Sequence, residues 1–67
     1  MTEKISGYKY IGVDSEICSG EPIIIGTRLR ALFIAQFGTM EDILFSYPQL
    51  TKEQVEEAKL FHKQYNG

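Results

Sequence analysis

The sequence predicts an α+β domain, mainly α, in which two short N-terminal β-strands precede a three-helix, helix-turn-helix-like unit. Three observations carry this. Pro22-Ile23-Ile24-Ile25-Gly26-Thr27-Arg28 is a β-branched run stopped by glycine, the signature of a short buried strand and a sharp change of direction. Two later segments each open on a threonine with a carboxylate or amide three residues on, Thr39 with Asp42 and Thr51 with Gln54, the reciprocal pattern of a helix start. Gly38 and Tyr47-Pro48 separate the three apolar stretches and serve as breakers between helices.

Sixty-seven residues, 43% of them hydrophobic, suffice for one core and exclude a second domain. Cores of this size supply about 3–5 kcal/mol of net stability, and disulfides, metals or oligomerisation usually add to it. Cys18 is the only cysteine and His62 the only histidine, so a disulfide framework and a zinc cluster within one chain are excluded. Self-association is the remedy left. No apolar run approaches the ~20 residues of a membrane span, and the opening Met-Thr-Glu-Lys-Ile-Ser lacks the apolar centre of a signal peptide. The expectation is a soluble cytoplasmic protein with no membrane partner. A net charge of −2 provides no global attraction to nucleic acid.

Residues 1–9 are polar and glycine-broken and are expected to form a flexible arm or at most the approach to a strand, with residues 10–67 as the single domain. Tyr10–Val13 is a weak strand, Asp14–Glu21 a loop, and Pro22–Ile25 the stronger strand. Two such strands need helices or another chain against them. Thr27 is expected to cap the first helix, Leu29–Phe37, whose only polar residues are Arg30 and Gln36. A helix so apolar needs cover on more than one side. Gly38 is expected to end it in a left-handed conformation. Thr39 starts the second helix, with Met40, Ile43, Leu44 and Tyr47 facing inward, and Pro48 stops it. The third helix, Lys52–Tyr65, starts at Thr51, with Leu50 and Val55 placed for a hydrophobic staple. Gln54, Val55, Ala58, Phe61, His62 and Tyr65 share its apolar face, while Leu60 is stranded on the polar one.

Asp14, Ile17–Pro22, Ile25–Leu29, Gly38–Leu44 and Tyr47–Thr51, taken as an ordered series over residues 10–62, resemble domain-of-unknown-function family 433, an antitoxin-like, homeodomain-like group. The resemblance implies two strands followed by three helices, self-association, and a link to type II toxin–antitoxin systems. Antitoxins of that type repress their own promoter and block a metal-dependent ribonuclease toxin. The chain departs from the family pattern at Glu21, where a basic residue is frequent, and at Lys59, where an apolar one is. Antitoxins commonly carry a toxin-binding segment beyond the DNA-binding core, whereas this sequence reaches only Asn66-Gly67; that favours a protein-binding adaptor as the alternative.

The candidate DNA- or partner-binding residues are Arg28, Arg30, Lys52, Lys59 and Lys63. A helix-turn-helix presents its second helix to the major groove, yet that helix begins Lys52-Glu53-Gln54 and continues with Glu56 and Glu57. Carboxylates beside phosphates are repulsive, and the same charges complement the helix dipole. Arg28 is expected to pair with Asp14, Glu16 or Glu21; gripping a phosphate or an acidic partner is its functional alternative. The dimer-interface candidates are Ile23, Ile25, Phe33, Phe37 and Leu60, in a two-fold arrangement where the Pro22–Ile25 strands or the first helices meet their copies. Tyr8, Tyr10 and Tyr65 are expected in packing or dimer contacts. No catalytic set, cofactor, metal site or small-molecule substrate is expected, because Cys18 and His62 make no dyad and Glu56 and Glu57, being adjacent, diverge.

Overall fold

The computed structural model describes residues 1–66. Strands β1 (Glu3–Lys4), β2 (Ile11–Val13) and β3 (Ile23–Ile24) form an antiparallel sheet in that order, and helices α1 (Ala31–Phe37), α2 (Met40–Ser46) and α3 (Lys52–Asn66) follow. This is the α+β, mainly α architecture expected from the sequence, with one strand more.

The extra strand comes from the segment read as a flexible arm. Glu3 pairs with Val13 and Lys4 with Gly12, and the Ile5 amide donates to the Ile11 carbonyl at 2.9 Å. Two contacts hold the segment down. Tyr8 stacks edge-on against Phe61, with ring centroids 5.1 Å apart, and its hydroxyl donates to Gln64. Gly12 allows the close approach, since a Cβ there would lie 2.7 Å from the Glu3 carbonyl oxygen and 3.0 Å from Ile25 Cγ1.

The strand-to-helix junction also differs from expectation. The Thr27 amide donates to the Ile24 carbonyl at 3.0 Å, and Gly26 has φ +88 while Ile25 is not left-handed, which makes a type II turn. The chain then doubles back: Ile24 N donates to Leu29 O, Ala31 N donates to Pro22 O, and Ile23 bridges Arg30. Thr27 therefore braces this turn instead of capping a helix, its hydroxyl donating to Ile24 O at 2.7 Å and accepting from Leu29 N at 3.0 Å. Helix α1 starts later than expected, at Ala31, with Arg30 as an N-cap that provides no side-chain bond. The outer edge of β3 is thus already paired, which closes the expected route by which Pro22–Ile25 strands meet across a two-fold axis.

The other helix boundaries follow their caps. Thr39 and Asp42 form a reciprocal box, with both bonds at 3.2 Å, and Thr51 and Gln54 form another, at 2.8 and 3.2 Å. Gly38 is not left-handed as expected: its φ is 170, and its value is room, because a Cβ would lie 2.9 Å from Asp42 Oδ2. Ile11, Ile24, Ala31, Ile34, Ile43, Leu50, Val55, Ala58 and Phe61 make one core, packed where α1 crosses α3 and closed below by β2 and β3. Ile23 is fully buried too.

Candidate interaction surface

Two of the surface hollows and an aromatic ridge carry the candidate residues. The first hollow, of about 240 Å³, is lined by Cys18, Arg28, Leu29, Arg30 and Phe33. Its geometry begins in the 3₁₀ turn Cys18–Gly20, where Cys18 and Ser19 are left-handed at φ 52 and 56. Non-glycine residues adopt that conformation only when their surroundings hold them there. One such hold is the Cys18 thiol, which donates to the Arg28 carbonyl at 3.2 Å and ties the turn to the β3 hairpin.

Arg28 and Arg30 are both exposed, and among the described residues neither forms an ion pair within 4.0 Å. The expected pairing of Arg28 with Asp14, Glu16 or Glu21 does not form among the described residues; of the three, Asp14 is engaged elsewhere. Its carboxylate is buried and accepts from the Glu16 amide at 2.9 Å and the Thr2 hydroxyl at 3.0 Å. The Glu16 amide, foremost, holds the Asp14 carboxyl below its ordinary value, with the Thr2 hydroxyl and the N-terminal ammonium adding and partial desolvation opposing.

From Phe33 the ridge runs to Phe37 and Tyr47, with ring centroids 6.2 and 5.4 Å apart. Phe33 is 52% exposed and Phe37 42%. Of the other interface candidates, Leu60 is 48% exposed and Ile25 half-buried, its amide bonded to Tyr10 O. Ile23 must be withdrawn, since its side chain is enclosed by its own chain. Phe45, 89% exposed on α2, escaped the sequence reading; a signal existed, because Phe45 lies off the Met40, Ile43, Leu44, Tyr47 face at helical spacing.

The second hollow, of about 370 Å³, is lined by Lys9, Tyr10, Glu53, Glu56, Glu57 and Leu60. Glu57 accepts from the Tyr10 amide and Lys9 Nζ lies 5.5 Å from the Tyr10 ring centroid. Glu53 and Glu56 stay exposed.

The five basic candidates do not converge. Lys59 turns inward and donates to Ala35 O at 3.2 Å and Gly38 O at 2.8 Å, satisfying carbonyls that the end of α1 leaves open. This removes it as a free binding residue. Lys52 and Lys63 are exposed at opposite ends of α3, separated by about 16 Å at the helical rise. Among the described residues no three His, Cys, Asp or Glu side chains gather in a way that could hold a metal ion, and no helix is long and apolar enough to cross a membrane.

Fold and surface define a small three-helix domain fronted by a short antiparallel sheet, with half-exposed aromatics and charge on its outside. The family model described as "Protein of unknown function (DUF433)" matches residues 11–61, from the first residue of β2 to the last core residue of α3, and the chain belongs to that family. No curated protein and no solved structure matches it.

Proposed function

We propose that the chain is a non-catalytic interaction module that works in the cytoplasm as a homodimer. Its role is that of an antitoxin-like component of a type II toxin–antitoxin system, with a ribonuclease toxin as protein partner and a weak regulatory contact to DNA. The observation that carries this reading is the half-exposed Phe33–Phe37 ridge beside two arginines that, among the described residues, have no carboxylate partner. Contiguous apolar surface marks interfaces, and aromatics and arginine dominate binding energy at their centres. Co-expression with the product of a ribonuclease-like gene beside its own tests the role. Co-purification and loss of ribonuclease activity support it, whereas an active, unbound ribonuclease refutes the antitoxin part.

The second reading, a protein-binding adaptor that leaves DNA alone, is favoured by Glu53, Glu56 and Glu57 in the first turns of α3. A reading helix approaches phosphates with that end, and carboxylates there oppose it. Affinity for the protein's own promoter that falls as salt rises supports the regulatory side. A flat or absent response leaves the adaptor.

A further inference from the structure

We infer that the partner of the Arg28, Arg30 and Phe33 face is a second copy of this chain, which seats the hollow around Glu53, Glu56 and Leu60 against it. This rests on the reading that the chain self-associates. The two surfaces are complementary in charge and alike in construction. One sets two guanidinium groups, unpaired among the described residues, around a half-exposed aromatic ring; the other sets three carboxylates against the single cation Lys9 around a half-exposed leucine, and Glu53 and Glu56 make no ion pair among the described residues. Within one chain the two surfaces form no Arg–Glu ion pair among the described residues.

The alternatives within a pair of copies are weaker. Strand pairing through β3 is blocked by its own hairpin. A meeting of like faces would bring Arg28 and Arg30 against Arg28 and Arg30, and like charges in contact cost several kcal/mol. Joining unlike faces instead places apolar Phe33 and Leu60 centrally with charges around them, the usual anatomy of a protein interface.

Sedimentation across a concentration series tests this with two charge-reversed variants, R28E/R30E and E53K/E56K. Both sets of side chains are exposed, and circular dichroism of each variant establishes that it is folded. Each variant alone should associate at least about tenfold more weakly than the native chain. Their mixture should regain native affinity as a mixed complex, because the reversed face of one fits the reversed hollow of the other and the untouched surfaces still match. Native association should also weaken from about 50 mM to about 500 mM NaCl, a measurement that needs no variant. A native chain that associates with no change in either variant and no salt response refutes this interface and leaves self-association standing. A native chain that stays monomeric at every concentration refutes both, as it does if Arg28 and Arg30 then bind an acidic protein or DNA.

Discussion

Substituting alanine for Gly12 isolates the contact on which the first strand depends. The residue is buried, and its backbone is not left-handed, so alanine meets no torsional penalty and the effect is steric. The added methyl would lie 2.7 Å from the Glu3 carbonyl oxygen and 3.0 Å from Ile25 Cγ1. The first obstacle is backbone, so β1 must move away. Overpacking of this kind costs about 1–3 kcal/mol, and the stiffer unfolded chain of alanine returns about 0.4–1 kcal/mol. The ranges leave a net loss of up to about 2.5 kcal/mol, with a midpoint of about 1.3 kcal/mol, a large share of the about 3–5 kcal/mol available to a core of this size. At about 4–8 °C per kcal/mol for small domains, thermal unfolding followed at the helix band should shift down by roughly 5–15 °C. Amide exchange locates the damage: the Ile5 amide, bonded to Ile11 O, should lose protection before the α3 amides do. Removing residues 1–4 takes away the Glu3 oxygen, and the same substitution should then cost less. A Gly12→Ala chain that melts at or above the native temperature, with Ile5 still protected, would refute the packing argument.

Replacing Lys59 with methionine keeps the stem and removes the ammonium that bonds Ala35 O and Gly38 O; a loss of about 1–3 kcal/mol in urea unfolding is expected, since these are hydrogen bonds to a charged group. Thr51→Ala should cost about 1 kcal/mol by removing one half of the cap of α3, and a Gln54→Ala/Thr51→Ala double variant should lose less than the sum because the two bonds form one box. The Asp14 carboxyl is held below its ordinary value of 3.8, chiefly by the Glu16 amide. Its contribution is therefore complete above that value and disappears as pH falls through it toward the lowered folded value. Acid unfolding curves of the native chain should steepen there, and those of Asp14→Asn should not.

Helices α2 and α3 were legible because their start signals are local: each box closes within three residues of its threonine. The same locality misplaced Thr27. Its hydroxyl is as suited to a turn as to a helix start, and the choice is settled by Leu29 and Ala31 bonding back to the strand. Strand β1 was hidden for a different reason. Its residues are polar and exposed; one anchor, Tyr8 on Phe61, joins the two ends of the chain, and the other, Glu3 against Gly12, is a close approach that exists only in the folded register. Lys59 reads as a surface lysine because its partners lie 21 and 24 residues away. Of the candidate surface, Phe33, Phe37, Leu60 and the arginines were visible as more apolar and basic side chains than one core could hide. Ile23 was not separable from Ile25, because neighbours in a β-branched run look alike until the register is known.

The hairpin that folds back from β3 has a bearing on solubility. A run of three consecutive isoleucines is the kind of segment that recruits identical segments into fibrils when its backbone lies open. Here Leu29 and Arg30 occupy that flank, and the opposite flank of the sheet is the two-residue strand Glu3–Lys4, which is short and charged on both residues. The greasiest stretch of the molecule is thereby kept from acting as a template for its neighbours.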